Sequence, residues 1–246
     1  MQARFHYVAP PSPCGYLPEQ LWSLEYLYVD RLSAAEYLQK MLEGWRRFGY
    51  MLFRPACASC QACQAIRIVV DAFRPDRSQR RCAQLNQGDI TLRIGPPTVD
   101  QMRLDLYDRY HAFQAESKGW PDHPPKDAES YLTSFVHQPF PVEEWCFYLG
   151  DVLVGVGYVD PVPEANLVGK GHEGLSAIYF IYDPAYRERG LGTWNVLSLI
   201  AEARRRELPY VYLGYYVEGS SSMAYKPRFV PNEVRREDGT WELFRP

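Results

Sequence analysis

Cys57-Ala-Ser-Cys60-Gln-Ala-Cys63 constrains this chain more than any other feature of its sequence. Three thiols at two-residue gaps bring their sulfurs onto one loop, as tetrahedral zinc or an iron–sulfur cluster requires. A closed site needs a fourth ligand, for which Cys14 in Cys14-Gly15-Tyr16 is the first choice and Cys82 the second. The N-terminal residues lack a basic segment followed by an apolar stretch, and no window approaches the roughly 18 apolar residues of a membrane span. A cytoplasmic protein without a membrane partner is therefore expected, and six cysteines in such a chain point to metal rather than disulfides. The plainer alternative is three reduced, partly buried thiols.

The formal charge of -3 argues, taken alone, against a nucleic-acid partner. It is unevenly spread. Between Lys40 and Arg93 ten basic residues face four acidic ones, so this stretch carries +6 and the remainder -9. Nine of the ten are Arg, whose planar guanidinium binds oxyanions bidentately where Lys offers a point charge. A basic face beside an acidic remainder suits phosphate binding in a soluble protein; a solvated arginine surface is the competing explanation.

Periodicity and turn residues predict an α+β chain. Residues 21–29 read as a strand, and Ser33 with Glu36 forms a capping box opening a helix through Leu38, Leu42 and Trp45 that stops at Gly49. Strands follow at 50–54, 65–70 and 90–94, with a short helix between them, capped by Ser78 and displaying Arg80 and Arg81. Gly95-Pro96-Pro97 marks the expected boundary between a smaller cysteine-containing α+β domain, 1–96, and a second domain, 97–246. In the second, Thr98 caps a long helix, 127–136 is another, and 145–149 with 152–159 forms a hairpin. Residues 160–174 read as a loop, followed by strand 175–182, a helix to about 207 and strand 210–216.

Arg187-Glu188-Arg189-Gly190-Leu191-Gly192 lies between a strand and a helix. Glycines there let backbone amides approach a phosphate at a helix N-terminus, where the dipole favours negative charge. A helix start that merely needs glycine is the bland explanation. Strand, Arg-x-x-Gly-x-Gly, helix, strand resembles the donor-binding core of GNAT-fold acyltransferases, which implies a mixed, mostly antiparallel sheet flanked by helices. Farther on, Tyr210 to Tyr216 alternates as a core strand, and Tyr215, Tyr216, Tyr225, Lys226 and Arg228 cluster at its end, where open sheets bind ligands. The five histidines, His6, His111, His123, His137 and His172, have no metal-like spacing. No Walker loop, dinucleotide fingerprint or Ser-His-Asp arrangement is legible.

Taken in order, these motifs resemble one family. Cys14-Gly-Tyr-Leu-Pro18, Gly44-Trp-Arg-Arg-Phe-Gly49, the cysteine triplet and Phe73-Arg-Pro-x-x-Ser-Gln-Arg-Arg81 are similar to the N-terminal part of aminoacyl-tRNA-protein transferases. Leu175-Ser-Ala-Ile-Tyr179, Tyr182-Asp-Pro184, Arg189-Gly-Leu-Gly-Thr193, Tyr212-Leu-Gly-Tyr215 and Met223-Ala-Tyr-Lys226 are similar to the C-terminal part. The bacterial cysteine spacing favours the aspartate/glutamate leucyltransferase branch. The chain departs at Arg189-Gly190, where Arg-Ser stands in many relatives.

The resemblance implies transfer of leucine, or in the arginyltransferase alternative arginine, from aminoacyl-tRNA to proteins with N-terminal Asp or Glu, marking them for N-degron degradation. The tRNA ester is already activated and an α-amine has a pKa of about 8, so alignment matters more than strong base chemistry. No nucleotide cofactor is required. In this reading Arg187, Arg189, Gly190, Gly192, Arg80 and Arg81 meet the donor tRNA, and amides near Ile178 and Tyr179 meet the oxyanion. Tyr215 and Tyr179 are the catalytic candidates. Lys226 and Arg228, or Arg46 and Arg47, take the acidic acceptor side chain, and the sequence does not choose between these pairs. The carry-over also implies zinc or an iron–sulfur cluster on Cys14, Cys57, Cys60 and Cys63. Two rival classes remain: an acetyl-CoA-dependent N-acetyltransferase, which the glycine loop fits, and a non-catalytic zinc module that binds RNA.

Overall fold

The computed structural model describes residues 1–121, 124–162 and 171–244. His123 and most of the loop expected at 160–174 lie outside them. The strands and helices begin with β1 (Gln2–Val8), β2 (Ser12–Pro13), β3 (Leu21–Trp22), β4 (Leu24–Arg31), α1 (Ala34–Leu42), β5 (Arg46–Phe48), β6 (Met51–Pro55) and β7 (Cys63–Val69). They continue with α2 (Arg77–Asn86), β8 (Ile90–Gly95), α3 (Gln101–Lys118), α4 (Ala128–Tyr131), β9 (Glu143–Leu149), β10 (Val152–Val162) and β11 (Gly174–Tyr182). The last are α5 (Leu191–Arg205), β12 (Tyr210–Val217), β13 (Asn232–Arg235) and β14 (Trp241–Leu243), with 3-10 segments at Pro184–Arg189, kinked at Tyr186, and at Lys226–Arg228. The chain is α+β, and its largest sheet is mostly antiparallel, with β11 and β12 a parallel pair.

Local chemistry explains the element ends. Ser33 and Glu36 form the expected capping box, and Tyr37, Leu38 and Met41 bury the inner face of α1. The helix stops at Leu42 rather than Gly49, because Gly44 takes φ +92° and the reversed chain pairs Arg46–Phe48 with β6. Asp76, not Ser78, caps α2, its carboxylate accepting from the Gln79 amide at 2.8 Å. Asp100, not Thr98, caps α3 in the same way at 3.0 Å. The helix expected at 127–136 is α-helical only through Tyr131 and continues as a π-helical turn, Leu132–Val136.

The chain divides into two compact units. The first comprises Met1–Arg74, Val162–Ser176 and Glu202–Pro246. It contains the antiparallel sheet β1-β4-β6-β5, and β7 between β12 and β13. The second comprises Pro75–Pro161 and Ala177–Ala201 and is built on β8, β9 and β10. Its core packs Leu106, Tyr131, Phe135, Val156, Tyr158 and Ile181. These units do not coincide with the division expected at Gly95: β7 hydrogen-bonds to β12 and β13 from the far end of the chain, so sheet pairing rather than chain order groups the cysteine segment with the C-terminus.

The basic stretch is likewise not one face. Arg46, Arg47 and Arg67 are buried, whereas Arg74, Arg77, Arg80, Arg81 and Arg93 are exposed.

Candidate active site

In the first unit, β12 delivers Tyr215 to the centre of a cluster of cations. Its hydroxyl donates to Gly44 O at 2.6 Å and Phe53 O at 3.3 Å, and burial pushes its pKa up. The Arg46 guanidinium lies 5.5 Å from the Tyr215 ring centroid, and Lys226 Nζ donates to Tyr215 O at 2.5 Å. Arg46 and Lys226 are 4% and 8% exposed. Burial, then the neighbouring Arg46 charge, lowers the Lys226 pKa to about 7.

Arg46 spends only part of its donor set. Nη1 donates to Trp45 O at 2.7 Å and Met41 O at 3.4 Å, while Nε and Nη2, both buried, have no hydrogen-bond partner among the described residues. Those two nitrogens form one edge of the guanidinium, the parallel fork that donates to both oxygens of a carboxylate. The structure therefore joins one residue from each of the alternative acceptor pairs, Arg46 with Lys226. Their companions lie otherwise: Arg47 is buried and donates to Gly49 O at 2.7 Å, and Arg228 is exposed. Tyr216 is buried, with its ring 5.1 Å from Phe244, and Tyr225 is exposed.

Tyr215 also borders the cysteines. A cavity of about 40 Å³ is lined by Tyr215, Cys14, Cys57, Cys60 and Cys63. A groove of about 950 Å³ runs past Gly44, Arg54, Arg235 and Tyr215 on the same unit. The Cys14 sulfur accepts from the amides of Tyr16 and Leu17, and the Cys57 sulfur from that of Ser23, each at 3.4 Å. Burial, then Cys57, Cys14 and Cys60, pushes the Cys63 thiol up to about 12. Among the described residues no three Cys, His, Asp or Glu side chains stand at spacing that would already hold a metal ion. The donor set is nonetheless four soft sulfurs sharing one cavity, two of them supplied with amide donors that favour thiolate.

In the second unit, Gly190 (φ +66°) turns the chain into α5, whose first intrahelical bond runs from Trp194 N to Gly190 O at 2.9 Å. The amides of Leu191, Gly192 and Thr193 precede that bond and form the helix N-terminus. Arg187 is exposed beside Glu188, and Arg80 and Arg81 are exposed on α2. Arg189 is already engaged, donating to Asp89 at 3.0 and 3.1 Å and to Leu85 O at 3.1 Å. Tyr179 on β11 is hydrogen-bonded to His111 Nε2 at 2.9 Å, and burial, then Tyr107 and Tyr110, raises its pKa.

The N-terminal portion of arginine-tRNA-protein transferases matches residues 12–81, and the C-terminal portion matches residues 102–236. The chain belongs to the arginine-tRNA-protein transferase family. It is an aminoacyltransferase, as its motif order implied. It is 37% identical over 243 residues to an aspartate/glutamate leucyltransferase of Nitrosococcus oceani, covering 97% of this chain and 95% of the relative. A Helicobacter hepaticus protein of the same name is 33% identical over 239 residues, covering 94% of each chain. One from Stenotrophomonas maltophilia is 40% identical over 226 residues, covering 90% of this chain and 86% of the relative. Among the described residues no helix is long and apolar enough to cross a membrane.

Several residues escaped the sequence reading. His111 stood out only for lacking metal-like spacing, and its bond to Tyr179 spans 68 positions. Asn86 and Asp89 carry no motif, yet both contact the glycine loop, and Cys82, the second choice for a fourth metal ligand, lies against Arg189 O and Gly190 O rather than lining the cavity of the other cysteines. The unpartnered edge of Arg46 also left no trace, because only the path of the chain shows which donors stay unused.

Proposed function

We propose that this chain transfers leucine from leucyl-tRNA to the α-amine of proteins bearing N-terminal Asp or Glu, marking them for N-degron degradation. The carrying observation is the buried Arg46 and Lys226 pair, with no carboxylate of the described residues on the free Arg46 edge. An acidic side chain supplies the missing partner, and the attached α-amine is then held in register for attack. The names of the relatives support leucine as the donor's amino acid.

The N-terminus of α5, with exposed Arg187, Arg80 and Arg81, holds tRNA phosphates through charge and backbone amides. The consecutive β11, α5 and β12, with a glycine turn opening the helix, support a GNAT-like donor core. The acceptor amine attacks the ester carbon, the C–O bond to the tRNA 3' oxygen breaks, and the ammonium proton leaves as that oxygen is protonated. Tyr179, bonded to His111, is the phenol proposed to handle that proton. Tyr215, whose hydroxyl is held by two carbonyls, serves as the floor of the acceptor pocket. Cys14, Cys57, Cys60 and Cys63 would hold zinc or an iron–sulfur cluster, which as a bound cation would neutralise their thiolates.

The test offers the purified protein leucyl-tRNA or arginyl-tRNA, each carrying a labelled amino acid, with peptides starting in Asp, Glu or Asn. Label entering Asp and Glu peptides from leucyl-tRNA is expected. Label from arginyl-tRNA alone overturns the donor assignment, and acetyl-CoA consumption without tRNA overturns the reaction class. Metal analysis and visible absorbance of an anaerobic preparation test the cysteine site.

A further inference from the structure

The glycine loop and Arg189 are riveted to α2 from several directions. Asn86, fully buried near the C-terminal end of α2, donates from Nδ2 to Arg189 O at 2.8 Å and to Cys82 O at 2.9 Å. The Cys82 thiol lies 3.6 Å from Arg189 O and 3.5 Å from Gly190 O. Past the end of α2, Asp89 takes both terminal nitrogens of Arg189, and Leu85 O takes one of them again. Arg189 is thus held at its carbonyl and at its guanidinium by the same helical segment. Directly beside it, Arg187 is exposed and approaches its neighbour Glu188 at 3.5 Å.

We infer that Asn86, Cys82 and Asp89 form a clamp that positions the donor loop, and that Arg189 acts as its rivet rather than as a phosphate ligand. The inference rests on the donor role proposed above for this loop. Glycine at 190 suits this turn because its backbone takes φ +66°; a Cβ there would touch Cys82 Sγ at 3.4 Å, an ordinary contact. With its carbonyls turned to α2 and its first helical amides left at the start of α5, the loop presents a fixed set of donors to an anion without ordering them at each encounter.

The two roles for Arg189 predict opposite signs in one variant. If Arg189 bound phosphate directly, Asp89→Asn would remove a competing carboxylate and tighten leucyl-tRNA binding. As a clamp, the same exposed substitution loosens the loop: Kd for leucyl-tRNA rises about fivefold to tenfold, the loss of roughly one charge-assisted bond. Asn86→Ala is expected to raise Kd about tenfold, with KM for the acceptor peptide unchanged. Arg189→Gln is expected to weaken binding while leaving the salt dependence intact, whereas Arg187→Gln lowers its log–log slope by about 0.7 to 0.9. Amide hydrogen exchange over residues 187–194 should quicken in Asp89→Asn. Unchanged or tighter binding in Asp89→Asn, or unchanged exchange, overturns the clamp. If the wild type binds no leucyl-tRNA while exchange quickens as expected, the clamp stands and the donor reading fails.

Discussion

Arg46 and Arg103 are almost equally buried, at 4% and 7% exposed, yet their surroundings are opposites. Arg103 spends its donors on carboxylates: Nε and Nη2 on Glu144 at 2.9 and 2.5 Å, and Nη1 on Asp100 at 2.5 Å. Glu144 also accepts from Tyr158, whose hydroxyl meets that of Tyr131 at 2.5 Å. Arg67 follows the same rule, with Glu233 at 2.7 Å and three aromatic rings around it. Arg46 has carbonyls on one nitrogen, Lys226 as a neighbour and, among the described residues, no acid on its free edge. A buried cation without a counter-ion costs several kcal/mol, whereas a paired one is held by its network. The fold therefore completes the Arg103 site by itself and leaves one edge of Arg46 unused, which is the edge proposed above for the acceptor carboxylate.

The sharpest way to break this contrast is to remove each guanidinium. Arg103→Met strands Glu144 in the core and is expected to destabilise the protein by about 3–5 kcal/mol in urea unfolding. Arg46→Met removes a charge with no acidic partner among the described residues, so stability should hold or rise while transfer to Asp peptides falls about 100-fold or more, equivalent to at least about 2.7 kcal/mol. Equal stability losses in the two variants would erase the distinction.

A second effect comes from Lys226. Its pKa in the fold, about 7, lies below the ordinary 10.5, so between those values the unfolded chain binds more protons and stability rises with pH. In the absence of acceptor, the melting temperature should climb from pH 7 toward pH 10, and Lys226→Met should flatten the climb. Acceptor affinity should move the other way, falling as the pH passes about 7 and the ammonium is lost. A KM for Asp peptides that stays level across that range would separate Lys226 from the acceptor site.

The smallest expected effect is that of Tyr215→Phe. It deletes the bonds to Gly44 O and Phe53 O while keeping the ring below Arg46, so about 1 kcal/mol of stability and a severalfold loss of transfer are expected. A loss approaching that of Arg46→Met would make the hydroxyl a direct participant in the reaction.

Much of this was legible because it is local. The Ser33 capping box, the β9–β10 hairpin and the glycine turn before α5 follow from residues a few positions apart. The motif order located the chain in its family. What the sequence hid depends on distant pairing. The partition at Gly95 seemed natural until β7 paired with β12 and β13. Ten basic residues read as one surface, but Arg67 entered the core because Glu233, 166 positions away, was there to receive it. The acceptor pair could not be chosen because Arg46 and Lys226 become neighbours only when β5 and the turn after β12 meet at Tyr215.

The central claim is that the free edge of Arg46 receives the carboxylate of the acceptor's first residue. The direct measurement is kcat/KM for otherwise identical peptides starting with Asp or Asn, in the wild type and in Arg46→Gln. The wild type should prefer Asp by about 100-fold or more, and Arg46→Gln should reduce that preference to within about fivefold, chiefly through loss of Asp transfer. An Asp preference that survives intact in Arg46→Gln would contradict the account.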